Sequence, residues 1–171
     1  MSIGSSFLLV GVIDQSLWLI HDGVIQFECP ISTAKNGLGE WNGSYQTPRG
    51  WHRVVTKIGA HAHPLTQFIA RVPVGRVDAK AWGDNLILSR IVWLSGAEIG
   101  RNQGGKVDTQ SRMIYIHGAP DAKVDGQMHS KGCICLRTSD MIDLYDHVYE
   151  GLMVYIHPGN ARSWLPSRSC T

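Results

Sequence analysis

The sequence predicts a mainly β domain, a β-sandwich of mixed sheets carrying one or more short helices, and three observations predict it. Short runs rich in β-branched and large apolar residues recur between turn-forming residues. Nineteen glycines argue against a helical bundle, because each costs about 1 kcal/mol in a helix interior. One segment, after Leu136, carries the marks of an amphipathic helix. At 171 residues, 43% hydrophobic and 18% charged, the chain can bury a core of its own. It is expected to form a single domain over residues 1–171, with the tail 158–171 poorly ordered.

The elements follow in order. Phe7 to Ile13, Leu17 to Ile20 and Val24 to Ile31 read as a β-meander, divided by Asp14-Gln15 and by His21-Asp22-Gly23. Asp-Gly favours a tight hairpin because both central residues tolerate positive φ. Asn36-Gly37, Gly39 and Asn42-Gly43 mark a long loop, closed by the turn Thr47-Pro48-Arg49-Gly50. Trp51 to Ile58, Phe68 to Val74, Met113 to His117 and Leu152 to His157 are further strands. Leu86 to Leu94 suits a buried strand or a short helix, and a strand is preferred. Thr138 or Ser139 is expected to cap the helix. Asp140 and Asp143 would sit near its positive end, Met141, Ile142, Leu144, Tyr145 and Val148 form its apolar face, and Gly151 ends it.

Charge and cysteine content narrow the function classes. Sixteen Lys and Arg against fourteen Asp and Glu leave a formal charge of +2, which gives no electrostatic case for nucleic acid or a membrane surface. The early apolar runs are far too short to span a membrane. The first lysine is Lys35 and the first arginine Arg49, so no basic secretory leader is visible and cytoplasmic action is expected, or periplasmic action if the chain is trimmed. Cys29, Cys133, Cys135 and Cys170 are too few for a disulfide scaffold and read as free thiols. Cys133-x-Cys135 with His129, and His61-x-His63, lack the paired spacing of zinc knuckles, so neither metal nor cofactor is expected.

The chemistry concentrates in Ile114-Tyr115-Ile116-His117-Gly118 and, after a polar loop, His129-Ser130-Lys131-Gly132-Cys133-Ile134-Cys135-Leu136. His117 lies at a strand end and Cys133 just before the helix, so the loop between them can bring imidazole and thiol together. A thiol with an ordinary pKa of about 8.5 is only slightly ionised at neutral pH and needs such a base. Gly132 leaves room beside the sulfur for backbone N–H groups to meet a substrate oxyanion. Trp82, Trp93 and Leu94 read as ordinary core, with a wall or lid over the substrate as the functional alternative, and Arg71, Arg90, Arg101 and Arg112 as solvated surface charge, with contact to an anionic substrate as theirs.

At these residues the chain resembles the L,D-transpeptidase catalytic domain of the YkuD type, whose pattern is His-Gly or His-Ser followed by Ser-His-Gly-Cys-(Ile/Val)-Arg. Ile31-Ser32-Thr33-Ala34, Thr47-Pro48-x-Gly50 and Asp140-x-x-x-Leu144-Tyr145 extend the resemblance in the family's order over most of the chain. It implies Cys133 as nucleophile, His117 as general base, the Gly118 carbonyl orienting the imidazole, and Ser130 and Gly132 shaping the oxyanion site. It also implies a peptidoglycan tetrapeptide or muropeptide as substrate, attacked at the L-centre of meso-diaminopimelate with loss of the terminal D-Ala. Lys131 departs from the usual His, where its ammonium can hold a substrate carboxylate or favour the thiolate. Cys135 departs from the usual Arg, leaving Arg137 as the nearest cation. Three activities fit: an L,D-carboxypeptidase trimming tetrapeptides for muropeptide recycling, which is preferred, a periplasmic transpeptidase that cross-links or exchanges D-amino acids, and a non-catalytic muropeptide-binding module.

Overall fold

The computed structural model describes residues 5–78, 80, 83 and 85–166. Strands β1 (Ser6–Gly11), β2 (Ser16–His21) and β3 (Val24–Pro30) form the expected antiparallel meander. Asp22 (φ 49°) and Gly23 (φ 74°) make the β2–β3 turn, both in the left-handed region that such a hairpin needs. The remaining strands are β4 (Gly50–Ile58), β5 (Thr66–Ile69), β6 (Val72–Arg76), β7 (Ile87–Gly96), β8 (Tyr115–Ala119), β9 (Ile134–Arg137) and β10 (Met153–His157). One α-helix, α1 (Thr138–His147), separates β9 from β10.

These strands make one mixed sheet that curls on itself. Its order runs β3-β2-β1-β10-β4-β7, with β1–β10 and β8–β9 parallel and the other pairs antiparallel. Leu88 is flanked by Gln67 of β5 and Gly118 of β8, and Ile91 by Ile58 of β4 and His117 of β8. So β8, with β9 beyond it, follows one edge of β7, while β4 and the β5–β6 hairpin share the other. The two ends of the sheet meet where Ser32, just past β3, exchanges both backbone hydrogen bonds with Cys135 of β9, each 2.8 Å. This closure covers the edges of β3 and β9 around the main apolar core, while β6 remains an exposed edge. Leu8, Val10, Leu17, Val92, Ile116 and Leu136 fill it from the strands, and Met141 and Leu144 from α1.

The ambiguous segment Leu86 to Leu94 is strand, with a bulge between Leu88 and Ile91 where Ser89 takes φ 64°. The single strand expected over Phe68 to Val74 is instead a hairpin, β5–β6. It turns on Ala70 and Arg71 at φ 47° and 67°, a conformation that neither residue advertises. Neither Thr138 nor Ser139 caps α1. Arg137 holds the cap position without a side-chain bond, and the Thr138 hydroxyl donates to Ala119 O at 3.5 Å. The helix stops at Val148, before Gly151, and buries Met141, Leu144 and Tyr145 as its periodicity requires. Of the segment 158–171, expected to be poorly ordered, residues 158–166 are described and they pack. Ala161 N–H donates to Asp14 Oδ2, and Trp164 stacks on Tyr155 at 4.5 Å. Among the described residues no helix is long and apolar enough to cross a membrane.

Candidate active site

The parallel register of β8 and β9 sets His117 directly beside Cys135 and Ile116 beside Ile134. Because side chains alternate along a strand, Ile116, Ile134 and Leu136 point into the core. His117, Cys135 and, two residues earlier, Cys133 face the other way, into a cavity of about 380 Å³. Gly118 is glycine for a packing reason. A Cβ there would lie 2.5 Å from Leu88 O and from Ser89 Oγ, so only glycine lets the bulge of β7 press against the strand carrying His117.

The loop bearing Cys133 is held by the segments that carry the resemblance. Ser130 N–H donates to Thr33 O (2.9 Å) and Lys35 N–H to Ser130 O (3.0 Å). The Thr47 hydroxyl donates to Gly132 O at 3.0 Å and accepts from Ala34 N–H at 3.0 Å. The Ser130 hydroxyl donates to Cys133 O (2.6 Å) and accepts from Gly132 N–H (3.2 Å). That amide, expected to face a substrate oxygen, is therefore engaged inside the loop. Gly132 takes φ 131°, and a Cβ would meet Ile114 Cδ1 at 2.9 Å.

His117 is buried and its tautomer is fixed. Nδ1 lies 2.7 Å from Gly118 O, and since a carbonyl only accepts, Nδ1 carries the proton and Nε2 a lone pair. Burial pushes its pKa down to about 4, against the carbonyl contact that favours the cation, so the imidazole is neutral at pH 7. Nε2 meets Cys135 Sγ at 3.6 Å. Cys133 Sγ donates to Met113 O at 3.6 Å and accepts from Tyr115 N–H at 3.4 Å. Burial pushes this thiol up to about 11, opposed by the Tyr115 amide and the Arg112 charge. Both groups are thus neutral before substrate arrives.

Arg112, expected on the solvated surface, is half-buried and lines the cavity. Its guanidinium donates to Gly39 O and Glu40 O (both 3.1 Å), Gln46 O (2.5 Å) and Ser44 Oγ (3.4 Å). It is a fixed charge beside the sulfur rather than a mobile ligand. Arg90 is buried too, donating to Ala62 O and Ser89 O, and Arg71 bonds the Tyr115 hydroxyl. Arg101 stays exposed beside Glu98.

Of the other expected site residues, Ser130 and Lys131 line the cavity, whereas Arg137 is not part of its lining and donates to Val124 O at 3.4 Å. Arg112 supplies the nearby guanidinium instead. Leu94 is core and Trp93 packs edge-on against Tyr115, so neither is a lid. Trp82 and Cys170 lie outside the described residues. Asn85 and Leu86, just before β7, and Ile87 at its start nevertheless form a wall of the cavity. A second cavity of about 410 Å³ adjoins the first through Ser130 and Lys131 and is lined by Lys35, Lys123 and His129. His61 and His63 are part of an exposed turn, and no three His, Cys, Asp or Glu among the described residues are placed to hold a metal.

The curled mixed sheet that carries these residues is also the fold of known enzymes. Residues 6–156 match the family described as the L,D-transpeptidase catalytic domain, YkuD, and the chain belongs to that family. Its fold is similar to that of an L,D-transpeptidase from Mycobacterium smegmatis (17% identity, TM-score 0.55, covering 90% of this chain and 59% of that one). L,D-transpeptidase 3 from Mycobacterium tuberculosis, solved with a faropenem-derived adduct, is similar at 17% identity and TM-score 0.56 over 90% of this chain and 60% of that one. The helical cell shape determining protein Pgp2 from Campylobacter jejuni matches at 19% identity and TM-score 0.54 over 93% of this chain and 49% of that one. The chain thus spans about three-fifths of the length of the L,D-transpeptidases it matches. No curated protein matches it.

Proposed function

We propose that this protein is a cysteine acyl transferase of peptidoglycan stem peptides whose main reaction is L,D-carboxypeptidation, the removal of terminal D-Ala from a tetrapeptide. The observation that carries this reading is the shared cavity of Cys133 and His117, with Nε2 left as the proton acceptor by the Nδ1–H bond to Gly118 O. Cys133 Sγ attacks the carbonyl at the L-centre of meso-diaminopimelate as His117 Nε2 takes the thiol proton. The Tyr115 amide and the Arg112 charge stabilise sulfur as it becomes anionic. The C–N bond to D-Ala then breaks, and the imidazolium returns its proton to the departing amine. Water, deprotonated by the same imidazole, attacks the thioester carbonyl, and the C–S bond breaks to free the tripeptide and restore the thiol.

Charge favours water over an amine in that last step. An acceptor amine reaches the site as an ammonium ion, and the lysines of the adjoining cavity, Lys35 and Lys131, repel it. The same lysines suit the carboxylates of the stem peptide. The second reading, transfer to an amine, draws on the presence of two adjoining cavities, one for donor and one for acceptor.

Purified protein incubated with a tetrapeptide, with and without an added D-amino acid, tests both. D-Ala release to tripeptide is expected, with exchange product in the minority. A majority of exchange product makes the protein a transferase, and binding without turnover makes it a muropeptide-binding module. Faropenem, seen as an adduct in the similar M. tuberculosis enzyme, is expected to add its mass to the peptide containing Cys133. In Cys133→Ser both turnover and adduct are expected to vanish.

A further inference from the structure

The base of this site points its lone pair at the second thiol. His117 and Cys135 are paired residues of β8 and β9, and Nε2 is 3.6 Å from Cys135 Sγ. Because Nδ1 is committed to Gly118 O, the hydrogen between Nε2 and sulfur can only be the thiol's. Cys135 is well placed to hold that bond. It is buried, both its backbone groups are tied to Ser32 at 2.8 Å, and burial together with the neighbouring Cys133 sulfur raises its pKa so that it stays a thiol. Cys133, meanwhile, is engaged with Met113 O and Tyr115 N–H rather than with the imidazole.

We propose that Cys135 is a positioning residue that acts through His117, its thiol occupying Nε2 until a substrate draws the imidazole over to Cys133. The inference rests on the reading of His117 as the base for Cys133. For Cys133 to lose its proton, Nε2 must first release the Cys135 hydrogen, so Cys135 lowers the reactivity of Cys133 in the empty site. An arginine, usual at this position in the resembled pattern, cannot pair with a neutral imidazole in the same manner without carrying a positive charge to it. The thiol gives the base a neutral, weak and easily broken partner.

The test is the second-order rate of Cys133 alkylation by iodoacetamide at pH 7, mapped by peptide mass spectrometry, with thermal melting to confirm that each variant is folded. Cys135→Ala removes the donor and is expected to raise the Cys133 rate about fivefold. Cys135→Val fills the space without a donor and is expected to do the same, which covers the case of an alanine variant that fails to fold. Cys135→Ser supplies a stronger O–H donor and is expected to lower the rate below that of the unmodified protein. Loss of packing alone would not push alanine and serine in opposite directions. Alanine and valine rates at or below the unmodified rate, or a serine rate above it, overturn the proposal. His117→Gln separates the two levels of inference. If it slows Cys133 alkylation while position 135 has no influence, only the role of Cys135 falls. If it leaves the rate unchanged, the base assignment falls and takes this proposal with it.

Discussion

Two histidines of this protein are nearly identical in local chemistry and differ in what they can do. His52 in β4 and His117 in β8 are both buried, and both hold Nδ1–H against a nearby backbone carbonyl, Gly50 O at 2.9 Å and Gly118 O at 2.7 Å. Burial pushes each pKa down to about 4. The difference is at Nε2. That of His52 accepts from the Thr109 hydroxyl at 3.1 Å, and His52 lines neither of the two cavities. That of His117 meets a thiol beside a cavity. A perturbed imidazole is therefore no mark of catalysis by itself. The group facing its free nitrogen, and the space beside that group, decide its use.

Exchanging the two roles gives the largest expected effect. His117→Gln should lower the turnover of tetrapeptide by 10²- to 10⁴-fold, the usual contribution of a general base, while the melting temperature changes little. His52→Ala should do the reverse. It removes a buried ring and leaves the Thr109 hydroxyl and Gly50 carbonyl unpaired, costing about 2–4 kcal/mol of stability with kcat of the folded fraction near the unmodified value. Turnover and denaturant unfolding of both variants check it, and an inactive but fully stable His52→Ala would break the comparison.

The placement of one histidine was largely legible in the sequence and that of the other almost not at all. His117 and Cys133 stand out because both lie in ordered motifs, and the structure brings them to one cavity. The meander β1–β3, the strand nature of β7 and the buried face of α1 follow from local pattern. The β5–β6 turn did not, because Ala70 and Arg71 carry no turn chemistry and take positive φ only under tertiary constraint. The burial of Arg112 was invisible as well, since its acceptors are backbone oxygens of the distant 39–46 loop. The contact between Cys135 and His117 depends on the β8–β9 register, which no local pattern encodes. The one available signal was the Cys-x-Cys spacing, which puts both thiols on the same strand face. His52 gave no signal, because a histidine inside an apolar strand does not reveal what meets its ring.

Acid should expose the trait that the two histidines share. In the unfolded chain each titrates near 6.5, whereas the folded chain holds each down to about 4. Between those values the unfolded state binds protons that the folded state refuses, so stability falls as pH drops through this window and is fully retained above it. The gap is worth at most about 3 kcal/mol for each ring. Melting temperatures recorded from pH 7 to 4 should decline, and the decline should be shallower in His52→Ala, which has lost one of the two groups. Equal slopes would mean that His52 is not held neutral by the fold.

The smallest effect separates the two Nε2 partners. Thr109 stands to His52 as Cys135 stands to His117, a neutral donor at the one nitrogen that the backbone leaves open. Thr109→Val keeps the shape and deletes the hydroxyl, leaving a buried acceptor unpaired at a cost of about 1–3 kcal/mol. No reacting group depends on that nitrogen, so the alkylation rate of Cys133 should not move. Cys135→Val removes the matching donor from His117, and there the weaker S–H bond makes the stability loss smaller while the reactivity of Cys133 rises. One pair of isosteric substitutions, read by unfolding and by thiol alkylation, thus tests whether a hydrogen bond to a buried imidazole stabilises the fold in one place and restrains a nucleophile in the other.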